Sequence, residues 1–294
     1  MRLPTPIRTP RFPRGFTVLE LMLSVAIMTV IVIGLYTVFD ATQRALRTTV
    51  AQVDTLEGVR AASDLLVRDL EAATPVRVSN TNWTSFSATL NPFGVPVDLE
   101  GLVKTDGVLF RTSIQDIFFL TRQNDTWTAI GYWVGPANTN LVGQPINYGR
   151  LYRFSYETNG AAFAYTNLFA RFNSPARIRD SQLVMDGVVH LRTVAYDYDG
   201  KPLLAGMFTN TPVSLHPWYA DPVRNTETAY WFRRVNVPSF PTSIELELGV
   251  LEPQVVTRAA SLPNANTARD YLARQAGSVH FFRHRIPLRN APPF

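Results

Sequence analysis

The sequence predicts an α+β chain: one long N-terminal helix, apolar enough to cross a membrane, followed by a head built on antiparallel sheet. Three observations carry this. Residues 16–39 are an unbroken apolar run, FTVLELMLSVAIMTVIVIGLYTVF, interrupted only by Glu20. No proline occurs in the 61 residues between Arg14 and Thr74, although four crowd into the first thirteen positions. Beyond Pro75 the texture changes to short runs of β-branched and aromatic residues punctuated by Asn, Gly and Pro.

The apolar run comes first. At about 1.5 Å per residue its 24 residues reach ~36 Å, enough to cross a ~30 Å hydrocarbon core with some tilt. A secretory signal has an apolar stretch of only about 7–15 residues and a small-x-small cleavage site after it. Here the run is longer and is followed by Asp40-Ala41-Thr42-Gln43, so the helix is expected to be retained. The arginines Arg2, Arg8, Arg11 and Arg14 precede it without any acid, which places the N-terminus in the cytoplasm and the bulk of the chain outside.

Those four arginines account for all but one unit of the formal charge of +5. The remainder is nearly neutral, which argues against a nucleic-acid-binding surface. Cysteine is absent, so disulfides and thiolate metal sites are excluded.

Glu20 is the exception within the span. A carboxylate costs about 2.5–3.5 kcal/mol at the centre of a bilayer, and less near an end. Either it snorkels to the interface or it meets a positive partner. A cut after Gly15 would supply one, since Phe16 would then carry a free α-amine that a carboxylate on a neighbouring, axially shifted subunit could neutralise.

Arg14-Gly15-Phe16-Thr17-Val18-Leu19-Glu20, with a basic leader before it and some twenty apolar residues after it, resembles the signal of type IV prepilins and pseudopilins, with Val18 where leucine is commoner. The resemblance implies residues 1–15 as a leader, 16–39 as the transmembrane helix, 40–74 as its amphipathic continuation and 75–294 as a periplasmic head. It implies cleavage after Gly15, N-methylation of Phe16, and assembly through Glu20 and Thr17. The implied partners are prepilin peptidase, an inner-membrane assembly platform, and other minor and major pilins or pseudopilins. No cofactor and no catalysis are implied, and the location is a single pass of a bacterial inner membrane with incorporation into a pilus-like filament.

The continuation reads as amphipathic. Leu56, Val59, Ala62, Leu66, Leu70 and Ala73 recur at steps of three or four, while Asp54, Glu57, Asp64, Arg68 and Glu71 fall opposite. Arg60–Asp64 and Asp64–Arg68 are spaced as i,i+4 pairs. With Pro75 as its stop, a helix from Phe16 to about Ala73 would be roughly 87 Å long.

In the head, strands are expected at Ser85–Leu90, Gly107–Arg111, Ala129–Val134, Arg150–Tyr156, Val188–Tyr198, Ser243–Leu251 and Ser278–Leu288, with Asp199-Gly200 as a hairpin turn and a late helix near Thr267–Gln275. Ile244, Leu246 and Leu248 alternate with Glu245 and Glu247, suggesting one face inward and one outward. Gly206–Pro241 reads as a long irregular excursion. The head's size suggests a minor subunit. Ala62–Leu70, Ile130–Val134, Leu151–Arg153, Asp186–Val188 and Pro241–Leu246 resemble the J-type minor pseudopilins of type II secretion, and Arg283–Asn290 is similar to the ending of W-type minor pilins of type IV pili.

Signals for chemistry are weak. His280 and His284 suit a metal only on a helix and lie in a strand-like run. Asp197-Tyr198-Asp199-Gly200 lacks the further oxygen ligands of a calcium loop. No P-loop, G-x-S-x-G or G-x-G-x-x-G occurs. A membrane-tethered periplasmic enzyme is the remaining alternative, because a triad can assemble from distant residues.

Overall fold

A computed structural model describes residues 17–74, 84–103, 109–136, 145–159, 165–196, 199–200, 202, 230–233 and 241–289. They form two compact units, one ending at Ala51 and the other beginning at Gln52.

Helix α1 runs over Val18–Glu71. In the first unit its apolar side chains stand exposed along Val18–Arg47, and an 18-residue stretch within that span has a mean hydropathy of 2.5. The few polar residues there are satisfied locally. Ser24 donates its hydroxyl to the Glu20 carbonyl (2.7 Å), Thr29 to Val25 (2.8 Å) and Thr37 to Gly34 (2.8 Å). Such bonds leave no hydroxyl seeking a partner in hydrocarbon, which is what allows Ser and Thr inside a spanning helix.

The second unit is built on one eight-stranded sheet, entirely antiparallel, in the order β10-β9-β7-β6-β5-β4-β1-β8. The strands are β1 Thr84–Leu90, β4 Gln115–Gln123, β5 Thr126–Pro136, β6 Gly149–Asn159, β7 Ser181–Tyr196, β8 Tyr230–Arg233, β9 Ser243–Leu251 and β10 Val279–Pro287. A separate hairpin pairs β2 Asp98–Val103 with β3 Leu109–Arg111.

Strand alternation sorts the side chains onto two faces, and both are covered. On one face the end of α1 and the turn after it lay Val59, Leu66, Leu70 and Ala73 against Phe86, Ile117, Phe119, Ile130, Tyr132 and Leu246. On the other, helix α2 (Tyr165–Phe172) packs Leu168 and Phe172 against Phe118, Trp133 and Phe154. Helices α3 (Pro253–Ala260) and α4 (Ala265–Ala273) close the rest of that face with Val255, Ala259 and Leu272 against Val97, Leu99 and Leu251. Close approach demands glycine most sharply at two of the strand positions. A Cβ on Gly149 would stand 2.0 Å from the Gly135 carbonyl oxygen, and one on Gly131 would stand 2.4 Å from the Phe172 ring.

Several sequence expectations are corrected. The run QDIFFLTRQ of β4 was not expected to be a strand; it does not alternate because both its faces are buried, Ile117 and Phe119 on one and Phe118 and Leu120 on the other. Within the range read as an irregular excursion, Tyr230–Arg233 is the edge strand β8, and most of that range lies outside the described residues. Helices α2 and α3 and hairpin strand β2 were also unforeseen; α3 hides behind Pro253 at its first turn and a Val-Val pair. Leu56 is 40% exposed rather than part of the buried stripe. Arg60–Asp64 and Asp64–Arg68 are not among the ion pairs of the described residues, although Glu57, Asp64 and Arg68 are exposed as their spacing predicts. Glu247, read as outward-facing, is only 5% exposed.

Other expectations hold. Strands β9 and β10 lie where alternation places them. The Asp199-Gly200 turn closes with an antiparallel bridge from Tyr196 to Pro202, and Gly200 takes the positive φ of 75° that such a turn favours. Asp197 and Tyr198 lie outside the described residues.

Candidate functional site

Of the four residues singled out for processing and assembly, Gly15 and Phe16 lie outside the described residues. Thr17 and Glu20 come together at the start of α1. The Glu20 amide donates to Thr17 Oγ1 (3.3 Å), while Glu20 Oε2 accepts from both the Thr17 amide and its hydroxyl (3.2 Å each). This is a capping box: N-cap threonine and N3 glutamate satisfy each other's orphan amides. The carboxylate also lies in the first turn, where the helix dipole favours negative charge. Its second oxygen, Oε1, accepts no hydrogen bond among the described residues. A group that had only looked costly in the sequence is therefore half satisfied by its own helix.

A second cluster holds the end of α1 to the sheet. Asp69, 7% exposed, accepts from Tyr132 Oη (2.7 Å, from β5) and Arg153 Nε (2.6 Å, from β6) at the same oxygen, Oδ2. Burial, together with the adjacent carboxylate, pushes the Tyr132 hydroxyl far above its ordinary range, so it remains a donor. The helical spacing had placed no weight on Asp69. The available signal was a carboxylate beside Leu70 on the apolar margin of an amphipathic helix.

On the opposite face of the sheet two further polar networks are buried. Asp116 accepts from Arg177 Nη1 (2.8 Å) and Asn91 Nδ2 (2.8 Å), and the Arg177 guanidinium lies 4.4 Å over the Trp133 ring. Burial raises Asp116 from its ordinary value even though Arg177 and Asn91 pull it back. In the other network, His190 Nδ1 accepts the Ser113 amide (2.9 Å), so its ring proton sits on Nε2, 3.3 Å from Glu247 Oε2. Arg192 (3.2 Å) and Arg283 also donate to Glu247. Burial alone would raise Glu247; the His190, Arg192 and Arg283 donors outweigh it and hold the carboxyl well below the usual carboxylate range.

Ser113, His190 and Glu247 are the residue types of a hydrolytic triad. Their geometry is a different one. His190 Nδ1 takes the serine's backbone amide rather than its hydroxyl, and the three residues are 4%, 1% and 5% exposed. The network ties the start of β4 to β7 and β9.

No group of three or more potential metal ligands occurs among the described residues. His280 and His284 lie on β10, opposite Val250 and Leu246, and four residues of strand separate them by about 13 Å. They cannot share an ion.

Residues 11–36 match the family model for the prokaryotic N-terminal methylation motif. With the spanning helix and the antiparallel head, this supports a type IV prepilin-like protein, structural in kind, anchored by a single N-terminal helix. Processing by prepilin peptidase and assembly with other pilins are what the motif generally implies. No curated protein and no solved structure matches the chain.

Proposed function

We propose that this chain is a minor pseudopilin, most like the J-type, which joins others at the tip of a type II secretion pseudopilus. The observation that carries the reading is the methylation motif at residues 11–36 leading directly into a 54-residue helix that ends on a large antiparallel head. In this reading residues 1–15 are removed by a cut after Gly15 and the new amine of Phe16 is methylated. The helix stays in the inner membrane with the head in the periplasm until it is drawn into the filament.

The capping box gives the assembly step a chemistry. Thr17 engages Oε2 of Glu20, and Oε1 remains to accept the Phe16 amine of an axially shifted neighbour. Docking then neutralises both charges within the apolar bundle, and the loss of either one leaves the other unpaired there. Glu20→Ala is expected to be processed normally yet fail to incorporate; normal assembly of that variant would refute charge pairing. Gly15→Val is expected to block cleavage, and a mature N-terminus at Phe16 in that variant would refute the assigned cut.

A second reading, a W-type minor pilin of a type IV pilus serving adhesion, motility or DNA uptake, is favoured by the Arg283–Asn290 ending alone. Crosslinking the full-length protein in native membranes, then identifying its partners by mass spectrometry, separates the two. Other minor pseudopilins and a secretion platform are expected. Recovery of a major pilin with retraction machinery would move the chain to a type IV pilus.

A further inference from the structure

The eight-stranded sheet ends on β10, and among the described residues nothing pairs with the outer side of that strand. β10 pairs with β9 alone, in an unbroken register from Val279 opposite Leu251 to Pro287 opposite Ser243. The phase of this ladder follows from the bonds that flank it. The Leu288 amide donates to the Thr242 carbonyl (2.9 Å) and the Glu252 amide to the Ser278 carbonyl (3.1 Å). Antiparallel strands exchange bonds at every second residue, so His280, Phe282, His284 and Ile286 turn their amides and carbonyls to β9. Phe281, Arg283 and Arg285 turn theirs outward. Pro287 holds the next outward position, where its missing amide removes nothing from the ladder. At the other end the Val279 amide is taken by the Ala276 carbonyl. Three alternate residues therefore offer both a donor and an acceptor to an incoming strand. Other free stretches suit pairing less: β8 is four residues long, and the start of β7 beyond β9 is bulged where it meets β6.

The side chains along this edge say what would pair with it. Phe281, Arg283 and Arg285 line one face, with Phe281 38% exposed and the Arg283 side chain 67% exposed. On the inner side β9 meets them in register with Gly249, Glu247 and Glu245, an acid across from each arginine. Both acids are already engaged. Arg283 Nε lies 2.9 Å from Glu245 Oε1 and 3.0 Å from Glu247 Oε1, and Tyr196 Oη donates to Glu245 (2.9 Å). His190 and Arg192 hold Glu247 from β7. Arg285 is left with the Ser243 hydroxyl, to which its Nε donates (3.1 Å), and with the Tyr196 ring, 4.2 Å from its guanidinium. It has no carboxylate partner among the described residues. Arg60, Arg68 and Arg179 are also exposed without an ion pair there, but none of them lies on a strand. What sets Arg285 apart is its place in a row of outward-facing amides.

We infer that the outer edge of β10 takes an extended acidic segment of another protein as an added strand. Main-chain bonds to Phe281, Arg283 and Arg285 supply the pairing, and acids at alternate positions, opposite Arg283 and Arg285, supply the selectivity. Residues opposite each other in such a ladder stand about 5.5 Å apart at Cα, within reach of an arginine side chain. Within the chain β9 already shows the pattern, in Glu245-Leu246-Glu247-Leu248-Gly249. The same charges disfavour a second copy of β10, because antiparallel pairing centred on Arg283 or on His284 sets arginine against arginine. Charges on an edge ordinarily deter strand addition; these deter strands other than an acidic one. The inference goes beyond the assembly reading above and does not rest on it.

The probe is the β9 sequence itself, SIELELGVL, added as a fluorescein-labelled peptide to the full-length protein in detergent. Fluorescence anisotropy is expected to show saturable binding, and a peptide with lysine in place of both glutamates is expected to bind weaker by on the order of ten-fold or more. Arg285→Glu is expected to weaken the acidic peptide and to strengthen the lysine one. Circular dichroism of that variant is expected to match wild type, because Arg285 is exposed and makes no ion pair among the described residues. Amide hydrogen exchange, resolved residue by residue, gives a second readout on the unaltered protein. The amides of Phe281, Arg283 and Arg285 are expected to exchange fast in the free protein and about ten-fold slower or more with the acidic peptide, whereas those of Phe282, His284 and Ile286 are slow in both. Outward amides already slow without peptide would show that the edge is covered, and would overturn the inference. Absence of binding at about 1 mM peptide, equal binding of the two peptides, or binding that leaves the outward amides fast would each overturn it as well.

Discussion

Replacing Asp69 by alanine removes a side chain through which α1 takes charged hydrogen bonds from two strands of the sheet. Two donors are stranded. Tyr132 Oη, on a residue with no exposure, loses its acceptor, and an unsatisfied buried hydroxyl costs about 1–3 kcal/mol. Arg153 loses its carboxylate. Breaking a fully buried pair costs about 3–5 kcal/mol, but the Arg153 side chain is 23% exposed and recovers part of that from water. The two costs overlap, so the expected destabilisation is about 3 kcal/mol. For a unit of this size, about 2–4 °C per kcal/mol lowers Tm by roughly 6–12 °C. The assay is thermal unfolding of the full-length protein in detergent, followed by tryptophan fluorescence. Tyr132→Phe provides the internal scale: it leaves the Asp69–Arg153 pair intact and is expected to cost about 1 kcal/mol. A double-mutant cycle of Asp69→Ala with Arg153→Ala is expected to show coupling of at least about 1 kcal/mol. A drop of less than ~2 °C for Asp69→Ala, or additive effects in the cycle, would show that the helix is held by apolar packing alone.

Three further perturbations follow from the same geometry. Gly149→Ala drives a Cβ into the Gly135 carbonyl oxygen and must separate β5 from β6; destabilisation of at least about 2 kcal/mol in urea is expected, and a neutral result would contradict the close strand approach. Ser63→Ala removes a hydroxyl that is buried without a partner among the described residues, so stability is expected to be unchanged or to rise by up to about 1 kcal/mol, against the usual loss for a core substitution; a clear loss would reveal an unrecognised bond. Glu247 is held below its ordinary value of 4.5 in the folded state, so its contribution is fully present above that value and is lost as pH falls toward the folded one. Urea midpoints measured from about pH 7 to pH 3 are expected to fall less steeply for Glu247→Gln than for wild type, and parallel curves would deny the network this role.

How much was legible in advance depended on whether neighbours or chain order carried the information. The helix was readable because its causes are local: apolar length and absence of proline; the Thr17–Glu20 capping box became visible only in the structure. Strands with one clear rhythm, such as β9 and β10, were readable for the same reason. β4 was not, because a strand covered on both faces loses the alternation that identifies it, and helix and strand then look alike in a short apolar run. Helix α3 was missed because a proline and two valines read locally as a loop or strand, while docking of Val255 and Ala259 onto the sheet overrides that weak preference.

By itself the sequence determined the long apolar N-terminal helix, the match to the N-terminal methylation motif and the division into long helix and β-rich head, all of which are carried by residues close together along the chain. Only the tertiary structure decided which charges are structural. Glu245 and Glu247 occupy equivalent positions in an alternating strand, yet Glu247 is the one enclosed by His190, Arg192 and Arg283, contributed by β7 and β10. Asp69 differs from Asp64 in nothing local, but five residues rotate it by about 140° around the helix to meet Tyr132 and Arg153. A charge's role is set by what lies across from it, and across the sheet that is decided by pairing partners tens to hundreds of residues away.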